Sequence, residues 1–116
     1  MSHHDPMVRL RHMLSHTREV VAMTRGKVRG DLDSDRQLNL ALVRLLEIVG
    51  EAAARVPAEE REKYPQIPWL DIVGLRNRLI HGYDSVDFDI LWQIVQQDLP
   101  LLIQSLEGVV GGYQGR

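Results

Sequence analysis

The stretch from Asp35 to Arg55, DRQLNLALVRLLEIVGEAAAR, carries the strongest helical pattern in the chain. Its apolar residues recur every three or four positions, the spacing of one face of an α-helix: Leu38, Ala41, Leu42, Leu45, Ile48, Val49 and Ala52. Further apolar or small residues widen this stripe beyond one face: Leu40, Val43, Leu46 and Gly50. A helix that is apolar on most sides is expected at the centre of a bundle or between two subunits.

The sequence also predicts both ends of this helix and the segment after it. Ser34 and Gln37 have the spacing of a capping box, which satisfies free backbone N–H groups in the first turn. Pro57 ends the helix, because a proline inside a helix removes a backbone donor. Residues 58–63 are predicted to form one short turn and residues 64–69 an extended segment, since residues before prolines avoid the helical region.

Three further helices are predicted from apolar residues at helical spacing. They span about residues 7–25, 69–80 and 88–106; the second opens on a buried Trp69, and Pro100 bends the third. Gly82 is predicted to cap the second of these helices, and residues 84–87 to form a turn in which Ser85 or Asp87 caps the last helix. No strand pattern is evident.

The predicted fold is therefore all-α, an antiparallel bundle of four to five helices. The 116 residues point to one domain covering positions 1–116, with flexible ends at 1–6 and 108–116. No apolar run approaches the length of a membrane span and there is no cysteine, so a cytoplasmic location is expected. The formal net charge of −2 argues against a general nucleic-acid coating protein, so any contact with nucleic acid must be local.

The stretch RNRLIHGY, from Arg76 to Tyr83, concentrates the candidate chemistry. Arg76 and His81 are five positions apart, which on an unbroken helix separates them by about 140°. Either the helix ends before His81 and frees its ring, or Arg76 of one chain serves a site that contains His81 of another.

These residue types suit the cleavage of RNA without a metal or other cofactor. An imidazole can take or give a proton at cellular pH, and a guanidinium offers paired donors to a phosphate whose charge builds up in the transition state. His81 supplies one proton-transfer group; a second copy of His81 across a two-fold axis, or Tyr83, supplies the other. Asn77 would hold the imidazole or contact phosphate, and Arg78 would add positive charge.

Each of these residues also has a structural interpretation, which residue chemistry alone favours. His81 can stabilise a helix C-terminus, and Tyr83 can be a half-buried aromatic residue. Glu51 is placed to pair with Arg55 on its own helix; alternatively Glu47 or Glu51 orients Arg76.

Two weaker candidates lie elsewhere in the chain. His12 and His16, four apart, have a spacing that suits a metal, although no third ligand is evident and a solvated helix surface explains them as well. The loop that carries Arg25, Lys27 and Arg29 is a solvated turn or an edge that steers phosphate.

The pattern R-x-x-x-x-H-x-Y at Arg76, His81 and Tyr83 resembles the signature of HepT-type toxins of the HEPN superfamily. Three other segments resemble the same family in the same order: LLEIVGEAA from Leu45, Ile67-Pro68-Trp69, and the region from Val86 through Pro100. The resemblance covers most of the chain.

This resemblance implies an all-helical homodimer with the signature at its interface, acting as a metal-independent endoribonuclease. It implies that Arg76 and His81 are the catalytic pair. It also implies a minimal nucleotidyltransferase as the antitoxin partner, which transfers AMP to Tyr83 and so places negative charge where substrate phosphate must lie. The alternative hypothesis is a non-catalytic helical module that binds a nucleotide or docks that nucleotidyltransferase.

Overall fold

The computed structural model describes residues 5–81 and 85–114. In chain order the elements are helices α1 (Pro6–Thr24), α2 (Asp31–Ser34), α3 (Arg36–Ala54), α4 (Ala58–Arg61), α5 (Trp69–Val73) and α6 (Leu75–Leu79), strands β1 (Ile80–His81) and β2 (Ser85–Val86), helix α7 (Phe88–Gln93), a π-helical segment (Ile94–Asp98) and helix α8 (Leu99–Gln114). The mostly helical architecture confirms that the fold is all-α.

Helix α3 lies at the centre, as its wide apolar stripe predicted. It packs against α1, α2, α5 and α6, and α1 packs in turn against α8. Leu42, Leu46 and Val49 of α3 are fully buried in a core shared by these helices. Thr17 is buried on α1 without loss of hydrogen bonding, because its hydroxyl donates to the Met13 carbonyl of its own helix.

The predicted capping box at the start of α3 is wrong. Ser34 is the last residue of α2, and Asp35 is the N-cap of α3. The Asp35 carboxylate accepts a hydrogen bond from the backbone N–H of Leu38 at 3.0 Å. An aspartate caps as well as a serine does, so two adjacent capping residues left the boundary open by one position.

The helix predicted over residues 69–80 is broken at Gly74 into α5 and α6, and it ends at Leu79. Trp69 opens it as predicted: its ring is buried and its indole N–H donates to the Tyr64 carbonyl at 3.1 Å. Helix α5 lies very close to α3 at Gly50, where an added Cβ would meet the Ile72 carbonyl oxygen at 3.1 Å.

Two short strands follow α6, although none was predicted. They pair antiparallel, with Ile80 opposite Val86 and His81 opposite Ser85. The turn predicted over residues 84–87 is therefore replaced, in its described part, by a strand and the start of α7. Asp87 caps α7 as one of the two predicted candidates.

The last helix contains a π-helical segment just before Pro100. Proline has no N–H, so the Gln96 carbonyl has no donor four residues later. The Leu99 N–H donates to the Ile94 carbonyl, five residues earlier, which is the π-helical pattern. Helix α8 then continues to Gln114 with Val109 and Val110 buried, past Gly108, where a flexible tail was predicted. No helix in the described ranges is both long and apolar enough to cross a membrane.

Candidate functional site

His81 lies on β1, beyond the end of helix α6. The residue after the helix, Ile80, is already extended, so His81 leaves the helical path. The helix thus ends before His81, which is the condition for the first of the two arrangements predicted from the sequence. The side chain of His81 is 60% exposed, and its Nε2 lies 3.8 Å from Oδ2 of Asp87. Gly82, Tyr83 and Asp84, and with them the predicted cap and the predicted modification site, lie outside the described residues.

Arg76 lies on α6 and reaches across to α3. Its Nε donates to Oε2 of Glu47 at 3.1 Å; the arginine side chain is 64% exposed, whereas that of Glu47 is only 22% exposed. Of the two glutamates considered for this contact, Glu47 makes it. Glu51 lies one turn further along α3 and pairs instead with Arg44, at 3.8 Å.

These charged residues line a groove of about 200 Å³ between α3 and the α5–α6 segment. Arg44 also lies 3.6 Å from Glu47, so two arginines and two glutamates form one chain of ion pairs. Gly50 also lines the groove, at the position where α5 approaches α3 closely. In this groove the guanidinium of Arg76 is exposed to solvent, whereas its partner Glu47 is half-buried.

Arg78 points to a different groove. Its Nη2 donates to Oδ2 of Asp98, in the π-helical segment, at 3.2 Å. Both residues line a larger groove of about 570 Å³ between α5–α6 and α8. Asn77, between the two arginines in sequence, is exposed. The structure thus separates Arg78 from Arg76, although the sequence placed both in one site.

Arg76 and His81 make their contacts on different elements of the chain. Arg76 is held by α3 and His81 lies beside the residue that caps α7. No hydrogen bond or ion pair within residues 5–81 and 85–114 joins the two. The sequence did not indicate that Asp87 would lie beside His81. The one feature that pointed to Asp87 was its predicted role as a helix cap, six residues after His81.

The weaker candidates are placed elsewhere. The rings of His12 and His16 are 6.5 Å apart on α1, and the described part of the chain has no group of three metal-ligating side chains. Arg29 donates to Asp89 at 2.7 Å and to Asp33 at 2.9 Å. Those two hydrogen bonds, Asp89 first, raise the pKa of Arg29. Arg29 therefore ties the loop to α2 and α7 and is not a free cation for steering phosphate.

Comparison with known proteins gives one family match and several relatives. The family described as Ribonuclease HepT-like matches residues 13–109. A protein of Methanocaldococcus jannaschii named Putative RNase MJ1380 is 36% identical over 107 residues, covering 92% of this chain and 98% of that protein. One of Caldanaerobacter subterraneus subsp. tengcongensis named Putative RNase TTE0752 is 34% identical over 105 residues, covering 90% and 94%.

A third relative, from Thermococcus cleftensis, is named Probable ribonuclease HepT. It is 39% identical over 72 residues, which cover 62% of this chain and 66% of that protein. No solved structure gives a significant match.

Proposed function

The chain belongs to the HepT-like ribonuclease family, and we propose that it is an endoribonuclease in which Arg76 binds the scissile phosphate and His81 transfers protons. The observation that carries the proposal is that Arg76 has an exposed guanidinium, which Glu47 orients. Five residues after Arg76, His81 has an exposed imidazole. The relatives named as ribonucleases support an RNA substrate.

Arg76 suits a phosphate because its contact with Glu47 uses only Nε. The two terminal amino groups carry four further N–H donors, in the planar arrangement that pairs with two phosphate oxygens. An ion pair at the surface contributes little to stability. The contact with Glu47 instead restricts the orientation of Arg76, so that Glu47 acts as a positioning residue and Glu51 supports it through Arg44.

His81 serves the proton transfers of the reaction. The ribose 2′-oxygen attacks phosphorus as the bond to the 5′-oxygen breaks, which leaves a 2′,3′-cyclic phosphate on one fragment and a 5′-hydroxyl on the other. One group takes the proton of the 2′-hydroxyl and another gives a proton to the departing 5′-oxygen. Arg76 stabilises the charge on the phosphoryl oxygens, so the reaction needs no metal.

A homodimer would supply the second proton-transfer group. Arg76 and His81 of one chain contact different elements. A two-fold axis beside them would bring two copies of each residue to one cleft between the subunits. Leu40 and Val73 are exposed apolar residues on the helices that carry the groove, and their burial would favour such a contact. His81 of the partner subunit, or Tyr83, then acts as the second group. Asn77, exposed beside Arg76, would contact the phosphate or the imidazole.

The family resemblance extends the proposal to regulation. A minimal nucleotidyltransferase partner would transfer AMP to Tyr83, two positions after His81, and the pair would act as toxin and antitoxin in the cytoplasm. The added phosphate brings negative charge and bulk next to the residues that bind substrate phosphate, so it would exclude RNA.

Cleavage of RNA by the purified chain and by His81→Ala tests the proposal, with His12→Ala as the control. Both histidines are exposed, so neither substitution should disturb the core. We expect at least about a 100-fold loss of cleavage in His81→Ala, the contribution of one positioned acid or base, and none in His12→Ala. Undiminished cleavage by His81→Ala would contradict the proposal. A wild-type chain that binds a nucleotide or the nucleotidyltransferase but never cuts RNA would replace it with the non-catalytic alternative.

A further inference from the structure

We propose that Asp87 is the positioning residue for His81, with one carboxylate oxygen capping helix α7 and the other orienting the imidazole. This inference rests on the proposed function, because it assigns Asp87 a part in the proton transfers of that site. It gives the residue that caps α7 a second task, which depends on its charge.

The position of Asp87 is fixed from two sides. Its Oδ1 accepts a hydrogen bond from the Ile90 backbone N–H at 3.1 Å, at the first turn of α7. Its own backbone N–H donates to the Leu79 carbonyl at 2.8 Å, where α6 ends. The residue is therefore held by its backbone to the end of α6 and by its carboxylate to the start of α7, which restricts the carboxylate.

The second carboxylate oxygen faces the imidazole. Oδ2 lies 3.8 Å from Nε2 of His81, and the Asp87 side chain is 35% exposed against 60% for the histidine. The pairing of β1 with β2 holds His81 opposite Ser85, two positions before Asp87. A more exposed ring thus lies beside a less exposed carboxylate, as in a base that is oriented by a third group.

The other charged groups on the adjoining elements are already paired. Arg76 and Arg78 of α6 contact Glu47 and Asp98, and Asp89 of α7 contacts Arg29. Strand β2 consists of Ser85 and Val86 and brings no charge. Asp87 is thus the charged group that the described part of the chain places against the His81 ring.

This arrangement has one chemical consequence. A carboxylate 3.8 Å from Nε2 leaves Nδ1 as the ring nitrogen that exchanges a proton with RNA. The carboxylate gains no proton; it orients the ring.

The chain contains a matched control for the capping task. Asp35 caps α3 with the same geometry, since its Oδ1 accepts from the backbone N–H three residues later at 3.0 Å. No histidine is paired with Asp35 among the contacts of the described residues. Asparagine caps a helix about as well as aspartate. Asp87→Asn and Asp35→Asn therefore make the same chemical change at two equivalent caps, only one of which faces the candidate base.

The test compares kcat and KM for RNA cleavage in wild type, Asp87→Asn and Asp35→Asn. We expect kcat to fall about 10-fold in Asp87→Asn, a part of what a positioned base contributes, with KM within about twofold. Asp35→Asn should match wild type in both constants, and the melting temperatures of the two variants should agree.

An Asp87→Asn variant with the kcat of wild type would overturn the inference while leaving the ribonuclease proposal standing. So would equal losses in both variants, which would show a capping effect alone. A wild-type chain that does not cleave RNA would contradict the proposed function itself. That result differs from the two outcomes above, because wild type still cleaves RNA in both of them.

Discussion

Two grooves flank helix α6, and two arginines only two positions apart serve one groove each. Arg76 lines the smaller one, about 200 Å³, where four charged side chains form a chain of ion pairs. Arg78 lines the larger one, about 570 Å³, where most of the wall is apolar: Ile72, Leu75, Ile94, Leu99, Leu101 and Leu102. The same residue type thus meets two different environments within one helical turn.

The partners of the two arginines explain what each can do. Glu47 belongs to the central helix and is mostly covered, so it presents Arg76, 64% exposed, to solvent. Asp98 belongs to the π-helical segment, and its pair with Arg78, 37% exposed, joins α6 to the last helix. The identity and burial of the carboxylate partner are therefore the reason to propose Arg76, and not Arg78, as the arginine that binds substrate.

The largest expected effect comes from comparing Arg76→Ala with Arg78→Ala. Loss of Arg76 should lower kcat for RNA cleavage by about 100-fold or more, because it removes donors aimed at developing negative charge. Loss of Arg78 should lower kcat less than about threefold and cost at most about 1 kcal/mol of unfolding free energy, the usual contribution of an exposed ion pair. Cleavage assays and urea unfolding of both variants measure the two quantities.

Equal losses of kcat in the two variants would break this comparison. They would place both arginines on the substrate and make the Asp98 contact incidental. A loss confined to Arg78→Ala would exchange their roles.

A smaller effect should follow from closing the floor of the smaller groove. In Gly50→Ala the new Cβ meets the Ile72 carbonyl oxygen at 3.1 Å, and that atom is backbone, so α5 must shift away from α3. We expect the free energy of unfolding to fall by about 1 kcal/mol or more, as in other overpacked cores. RNA cleavage should weaken several-fold, because α6 and Arg76 follow α5 directly.

Gly108→Ala is the control for that substitution. Gly108 also lies inside a helix, but an added Cβ there has no heavy atom within 4 Å. Alanine should raise the unfolding free energy by about 0.5–1 kcal/mol, the usual gain over glycine in a helix. If thermal unfolding shows that Gly50→Ala is stabilised as well, then α5 moves away from α3 at little cost. The close contact between Gly50 and α5 would then not hold Arg76 in place.

The long helices could be predicted because their apolar residues repeat over several turns. Helix α3 was placed within a residue or two at each end. The break at Gly74 could not be predicted, since a single glycine inside a helical pattern is often tolerated. The π-helical segment is a further case: Pro100 indicated a disturbance of the helix, but not the bond from the Leu99 N–H to the Ile94 carbonyl five residues earlier.

The candidate site divides in the same way. Arg76 and His81 were identified from their chemistry and from a resemblance, both of which are local in sequence. Asp87 was not proposed as the partner of His81, and Glu47 was one of two glutamates proposed for Arg76, because Glu47 lies 29 positions from Arg76 and shares a helix face with Glu51, one turn away. The sequence spacing does not show which of these glutamates contacts Arg76. The position at which α6 packs along α3 determines it.

The termini of the RNA fragments, determined with EDTA present throughout, test the central claim most directly. If Arg76 and His81 drive attack by the 2′-hydroxyl, the wild-type chain should leave 2′,3′-cyclic phosphate and 5′-hydroxyl ends at an undiminished rate. Fragments that carry 3′-hydroxyl and 5′-phosphate ends, or cleavage that stops when metal ions are removed, would contradict it.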